Sequence, residues 1–268
     1  MKVRDKVFVV TGGGNGMGRE LALGLLSRGA RVAAVDIRRE SLDETAKLAD
    51  AGDRLATFVV DVTDRRAVEG FSSQVIAAHG VVDGLINNAG IIQPFVRVND
   101  LDYETIDRVL NVNLYGQIHM VKAFLPYLLE RPEAHIANVS SMGGFLPVPG
   151  QTIYGASKAA VKLLTEGLYA ELLETDVGIS VIMPGAIMTN ITDNSGVPMP
   201  EMPPEDVEKA AKRATTPEKA AKIMLDGIED DRLHIYVGSD SRMMNLANRI
   251  APRRSTHLIS RKMKDLLS

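Results

Sequence analysis

Apolar and polar positions follow one another in two kinds of block along the chain. Short runs rich in Val, Ile and Ala are separated by longer stretches in which apolar residues recur every three or four positions. The short runs read as buried strands and the longer stretches as amphipathic helices. Strands are expected at 6–10, 31–35, 55–60, 84–87, 135–139, 179–183 and 234–237, and helices at 18–27, 41–49, 64–78, 101–129, 154–174 and 217–227. Ser41 followed by Glu44 reads as a capping box that opens the second helix. Strands alternating with helices require right-handed crossovers, so the pattern predicts an α/β fold. It is a doubly wound parallel sheet with helices on both faces.

Two segments depart from this rhythm. Residues 190–216 hold Pro198, Pro200, Pro203 and Pro204, with Met199 and Met202 among them, and their start shows neither period. A loop of that length reads as a substrate lid or a connector. Residues 241–268 are basic and helical in period, with a break at Pro252. No shift in composition marks a boundary, so a single domain is expected over 1–268.

Composition narrows the function. With 268 residues, 45% hydrophobic and 24% charged, the chain reads as a soluble globular protein with a large core. A net charge of -3 argues against nucleic acid as partner. There is no cysteine, which excludes disulfides, thiolate metal sites and a cysteine nucleophile. The five histidines are scattered without an H-x-x-x-H pair, so no metal site is expected. The first apolar run is too short for a signal sequence or a membrane span, and a cytoplasmic address is expected.

The stretch TGGGNGMG, residues 11–18, follows the first strand and opens the first helix. Arg19 and Glu20 stand where a nucleoside-triphosphate loop needs Lys and Ser or Thr, and Met17 breaks the strict G-x-G-x-x-G spacing. Glycines before a helix N-terminus still suit a phosphate, because the backbone can approach closely and the helix dipole favours an anion. Asp36 ends the second strand, where a carboxylate in a Rossmann-type sheet accepts from ribose hydroxyls. A surface turn and a strand-end cap are the competing readings. Asp61-Val62 and Asn87-Asn88-Ala89-Gly90 close the third and fourth strands on the same side. Asp61 also reads as a helix cap, and the two asparagines as a turn.

Tyr154 and Lys158 are four apart on an expected helix and share a face, with Ser141 thirteen residues before Tyr154. A tyrosine hydroxyl works near neutrality only if its pKa falls by about two to three units, roughly 3–4 kcal/mol. An ammonium at roughly 5 Å supplies about that at an effective dielectric near 20. By itself, Y-x-x-x-K is also what a plain amphipathic helix carries.

Taken in order, these motifs resemble those of the short-chain dehydrogenase/reductase family from about residue 3 to residue 238. T-G-x-x-x-G-x-G is matched by Thr11, Gly12, Gly16 and Gly18, N-N-A-G by Asn87 to Gly90, and the catalytic Asn by Asn113 in NVNLYG. The Ser, Tyr and Lys match Ser141, Tyr154 and Lys158, with the usual interval selecting Ser141 over Ser140. P-G followed by Thr matches Pro184, Gly185 and Thr189.

The resemblance implies a hydride exchanged with a nicotinamide dinucleotide, with Tyr154 transferring the proton. Lys158 would lower the Tyr154 pKa and bind the nicotinamide ribose. Ser141 would bond the substrate oxygen, and Asn113 would hold a water. An Asn that merely bonds neighbouring backbone is the plainer reading of Asn113. The glycine loop, with Gly14, Asn15 and Met17, would hold the pyrophosphate, and Asp61, Val62, Asn88, Ala89 and Gly90 the adenosine. Pro184, Gly185, Ile187 and Thr189 would hold the carboxamide end.

Asp36 selects NAD over NADP as the expected cofactor, with Arg38 and Arg39 as counter-evidence. Gln93, Phe95, Met142, Phe145, Gln151 and Met188 are expected to form a mainly apolar substrate wall. A lipophilic secondary alcohol or its ketone suits that wall. A 3-oxoacyl thioester reductase and a non-catalytic dinucleotide sensor are the alternatives. The tail is longer than in many relatives. Packing on its own or a partner subunit competes there with contact to a membrane surface or nucleic acid. A homodimer or homotetramer is expected.

Overall fold

The structure, a computed structural model, describes residues 1–198 and 214–263. The strands are β1 (Val7–Thr11), β2 (Arg31–Asp36), β3 (Leu55–Val59), β4 (Gly84–Asn87), β5 (Ala134–Val139), β6 (Val177–Pro184) and β7 (His234–Val237). They form one parallel sheet in the order β3-β2-β1-β4-β5-β6-β7. The helices that precede β6 are α1 (Gly16–Ser27), α2 (Arg39–Ala49), α3 (Arg65–His79), α4 (Tyr103–Leu110), α5 (Gly116–Leu128) and α6 (Thr152–Glu171). After β6 come α7 (Ile191–Ser195), α8 (Pro217–Glu229), α9 (Ser239–Ile250) and α10 (Pro252–Lys262).

Strand β1 is apolar and buried along its length because helices cover both faces of the sheet. Phe8 and Val10 join Leu21 and Leu25 of α1 and Met224 and Leu225 of α8 on one face. Val9 points the other way, into a cluster with Phe71 and Val75 of α3, Phe124 of α5 and Leu168 of α6. The period of two in β1 therefore splits the core into two layers. Because β1 lies between β2 and β4, strand order reverses there and a crevice opens at the carboxyl ends of the strands.

One expectation needs correction. Helix α2 begins at Arg39, with Arg38 as an N-cap that gives no side-chain bond, so Ser41 lies inside the first turn and caps nothing. Tertiary contacts displace the local box: the Glu44 carboxylate accepts from Arg19 (2.6 Å), and Thr45 Oγ1 donates to the Gly13 carbonyl (3.0 Å). The long helical region expected over 101–129 is present as α4, a π turn at Asn111–Tyr115 and α5. Residues 199–213 of the expected lid, with Met199 and Met202, and residues 264–268 of the tail lie outside the described residues. Among the described residues, no helix is long and apolar enough to cross a membrane.

Phe71 sits edge-on between Phe58 (5.1 Å) and Phe124 (5.5 Å) and has no exposed surface. Phe71→Ala should lower stability by about 3–5 kcal/mol, read as a lower urea midpoint at an unchanged m-value.

Candidate active site

At the crevice, β1 and β4 are clasped together. Thr11 Oγ1 accepts from the amides of Asn88 and Ala89, both at 3.0 Å, and Asn88 Nδ2 donates back to the Thr11 carbonyl at 3.0 Å. The glycine loop leaves this clasp. Gly12 has φ +67, and a Cβ added to it would stand 2.9 Å from Asn88 Nδ2. One added to Gly18 would stand 1.9 Å from the Gly12 carbonyl oxygen, so neither position admits a side chain. The loop's carbonyls turn into the protein, with Thr45 Oγ1 on Gly13 and Arg19 Nη2 on Gly14 (2.7 Å). Asn15 caps α1 by accepting from the Gly16 amide (2.6 Å). The positive end of α1 thus opens on the crevice.

Asp36 is fixed by backbone: Oδ2 accepts from the Gly14 amide and Oδ1 from the Arg38 amide, both at 3.1 Å. The Arg38 guanidinium lies 4.0 Å from Asp36 Oδ1 and donates to Asn194 Oδ1 of α7 (2.8 Å). Asp64, not Asp61, caps α3 through the amides of Arg66 and Ala67, which leaves Asp61 in the crevice wall.

The crevice encloses about 870 Å³. Gly12, Asn15, Gly16, Met17, Asp36, Asp61, Val62, Asn88, Ala89, Gly90 and Thr189 line it. Gly14 and Gly18 are buried beneath it, against Asp36 and Gly12. Pro184 ends β6, the Gly185 amide donates to Val237 (2.9 Å), and Ile187 bridges to Thr215, so these three shape the far end from outside the cavity. Sequence reasoning missed Glu104, Arg108 and Asn111 on α4 and the π turn, and Asn194 and Ser195 on α7. The first three carried a signal, because the spacing 104, 108, 111 is one helical face.

At the chemical end, Ser141 follows β5 and its Oγ accepts from the Gly143 amide (3.0 Å). Ser140 faces away and donates to the Lys158 carbonyl (2.7 Å), anchoring α6. Lys158 Nζ donates to the Val139 carbonyl (2.9 Å) and lies 6.0 Å from the Tyr154 ring centroid. Asn113 sits on the π turn without exposed surface. Its Oδ1 accepts from the Ile91 amide (2.8 Å), and its Nδ2 donates to the Ile91 carbonyl (2.9 Å) and to Ser157 Oγ (3.0 Å). Both Nδ2 hydrogens are thus taken by protein partners, while Oδ1 holds a single bond.

Burial pushes the Tyr154 hydroxyl above its ordinary value, with the hydrogen bond to Ser141 opposing it. Burial also pulls the Lys158 ammonium down to about 8. Ammonium and phenol are thus neighbours, yet burial outweighs the downward shift of Tyr154 expected from the sequence.

The substrate wall also needs correction. Gln93 and Gln151 are buried and bonded to backbone, not exposed to a pocket. Phe95, Met142 and Phe145 are half-buried, and Met188 is exposed. Phe145 packs edge-on against Tyr236 (6.5 Å), and its carbonyl accepts from Asn248 of α9 (2.7 Å). The start of the basic tail therefore packs on its own subunit beside this loop.

A glycine-lined crevice at the switch of strand order, next to a half-buried phenol and a buried ammonium, is the arrangement of a nucleotide-dependent oxidoreductase. Residues 6–198 match the family model described as short chain dehydrogenase, and the chain belongs to the short-chain dehydrogenase/reductase family, whose members act on CH–OH groups. A Mycobacterium tuberculosis chain described as an oxidoreductase, SadH, is 34% identical over 250 residues, 91% of this chain and 90% of its own. A family member from Burkholderia phymatum in complex with NAD superposes with TM-score 0.82 at 27% identity, covering 93% of this chain and 96% of that one. A short chain dehydrogenase from Burkholderia cenocepacia in complex with NADP gives TM-score 0.80 at 27% identity, covering 97% and 99%. Both dinucleotides thus occur among the structural neighbours.

Lys158 opposes folding while it is charged. The unfolded chain keeps this proton up to about 10.5 and the folded chain only to about 8. The unfolded state therefore binds more protons between those values, and stability rises with pH across that window by up to about 3 kcal/mol. Tyr154, shifted upward, works in the opposite sense only above pH 10. Thermal unfolding of the protein without dinucleotide should show the rise between pH 8 and 10, and Lys158→Met should abolish it.

Proposed function

We infer that the protein transfers a hydride between NAD(H) and a lipophilic secondary alcohol or its ketone, with Tyr154 as proton donor and acceptor. The observation that carries this reading is the grouping of Ser141, Tyr154 and Lys158 behind Gly90, a residue of the crevice wall. The crevice fits a dinucleotide: it encloses about 870 Å³, Gly12 and Gly16 bring bare backbone to its wall, and α1 presents its N-terminus to it. The loop from Gly12 to Gly18 would hold the pyrophosphate. Asp61, Val62, Asn88 and Ala89 would hold the adenosine, and Lys158 and Thr189 the nicotinamide end. A bound nicotinamide dinucleotide supplies or accepts the hydride.

The chain's own groups manage the proton. Ser141 Oγ donates to the substrate oxygen and holds it beside the Tyr154 hydroxyl. With its pKa raised, Tyr154 carries its proton at neutral pH and gives it to the oxygen as a ketone is reduced. In the reverse direction the neighbouring ammonium stabilises the phenolate that takes the proton. Asn113 fixes the turn behind this pair. Phe95, Met142, Phe145 and Met188 offer an apolar surface that suits a lipophilic chain. Residues 190–216 serve as the lid, and the support is at their base. There Asn194 accepts from Arg38 across the crevice, and Ser195 Oγ accepts from the Ile92 amide (3.0 Å).

Asp36 supports NAD over NADP. A 2′-phosphate near this carboxylate would remove a ribose donor and place like charges about 4 Å apart, a repulsion of roughly 4 kcal/mol at an effective dielectric near 20, less where water screens it. Arg38, the cation nearest Asp36 among the described residues, is turned toward Asn194.

A panel of alcohols and ketones with NAD and NADP, followed at the nicotinamide absorbance, tests the reading. Turnover should favour lipophilic secondary alcohols; a preference for small charged hydroxy acids would reject that substrate class. Tyr154→Phe should keep the fold and dinucleotide binding while kcat falls by about 100- to 10,000-fold. Activity within about tenfold of wild type would remove Tyr154 from the proton path. Asp36→Ala should raise the Kd for NAD and narrow the NAD-to-NADP ratio of kcat/KM. Higher kcat/KM with NADP in the wild type would refute the argument from Asp36.

A further inference from the structure

Gln93, in the loop after β4, has no exposed surface, and its side chain is engaged at both ends. Oε1 accepts from the amides of Ile153 (2.8 Å) and Tyr154 (3.0 Å). Nε2 donates to the Gly150 carbonyl (2.9 Å). Its main-chain carbonyl in turn accepts from Gln151 Nε2 (2.7 Å).

Helix α6 starts at Thr152, so the amides of Ile153 and Tyr154 are among those a helix leaves without an intrahelical partner. A side chain at the cap position normally satisfies them. Gln151 stands there and makes no such bond. The cap comes instead from a residue 61 positions earlier in the chain, and one of the two amides it holds belongs to Tyr154.

The other end of the same side chain holds Gly150, where the loop from Ser141 arrives with φ +77. Inside that loop, Gly143 lies against the Tyr154 ring. A Cβ there would stand 3.3 Å from Tyr154 Cε1 and 3.5 Å from Ser141 Oγ. The loop that carries Ser141 and the turn that carries Tyr154 are therefore in contact, and one planar amide fixes the end of the first to the start of the second. Glutamine suits the task because it accepts and donates at fixed separation. Glutamate would only accept, and leucine would do neither.

We propose that Gln93 is a positioning residue, whose side-chain amide clamps the first turn of α6 to Gly150 and so sets the Tyr154 hydroxyl against Ser141. This rests on the proton-transfer role of Tyr154 inferred above. Gln93 acts through the Tyr154 main chain and not on the reacting atoms.

Three variants separate positioning from plain stability. Gln93→Leu keeps the volume and removes both bonds. Its kcat falls about 10- to 100-fold, as catalysis responds to displacements of about 1 Å. Its Kd for NAD, titrated without substrate, stays within about twofold of wild type, because the lost contact lies outside the nucleotide crevice. Gln93→Glu keeps the acceptor at a helix N-terminus that favours negative charge, and recovers about tenfold of the lost kcat. Should Gln93→Leu not fold, Gln93→Asn, one methylene too short to reach both partners, takes its place in the comparison. Amide exchange at Ile153 and Tyr154 accelerates in the Leu or Asn variant and not in the Glu variant.

A Leu or Asn variant with kcat within about threefold of wild type overturns the proposal, as does a Glu variant no better than Leu. Unchanged exchange at Tyr154 in the Leu or Asn variant overturns it equally. The exchange measurement needs no substrate. A wild type inactive on the whole panel therefore counts against the proposed function, while the exchange result still decides whether the clamp exists.

Discussion

The site depends on one hydroxyl. Parallel strands twist apart at their carboxyl ends, and at the switch of strand order nothing in the sheet ladder holds β1 to β4 beyond Val10 and Ile86. Thr11 Oγ1 supplies the missing tie by accepting from two successive amides, while Asn88 closes the loop in return. That tie fixes Gly12 on one side, and with it the floor on which Gly18 sits. On the other side it fixes Gly90, whose Cα stands so near Lys158 Nζ and Asn113 Oδ1 that a Cβ would lie 3.1 and 3.2 Å from them. The glycine loop and the Ser141, Tyr154 and Lys158 cluster are thus referred to one point.

The polar ladder behind the sheet extends the same arrangement. Asn87 donates to Asn138 (2.9 Å) on the neighbouring strand, and Asn138 donates to Thr165 (3.0 Å) of α6. Three elements are held in register by buried amides that would be costly to leave unpaired. Within this bonded set the buried Lys158 ammonium is met by the Val139 carbonyl at the end of β5, 2.9 Å away. The fold accepts a poorly solvated cation in exchange for one placed at a defined distance from the phenol.

The residues most legible in the sequence were those whose demand is local. The apolar run at Val7 to Val10 has few other outcomes once helices flank it, and Gly12 and Gly18 stand where only the absence of a side chain fits. Tyr154 and Lys158 could be paired because helical spacing brings them together. Gln93 and Gln151 stand among apolar candidates for the substrate wall, and nothing local in the sequence marks them as buried. Their partners lie across the fold, and a buried cap looks like an exposed wall when only neighbours in sequence are visible. Ser41 shows the reverse error: the local signal was present, and contacts from Arg19 and the glycine loop outweighed it. The π turn that carries Asn113 had no signature in periodicity, since a single extra residue per turn leaves the apolar spacing on both sides intact.

The bond from Asn248 to the Phe145 carbonyl spans 103 positions of chain. In the order of synthesis, the glycine loop, Ser141, Tyr154 and Lys158 have all left the ribosome before α9 exists. A nascent chain therefore holds Ser141, Tyr154 and Lys158 before the support for the Phe145 loop exists. That loop gains its bond from Asn248 only once α9 is complete, so the support beside Ser141 is among the last contacts the chain can form.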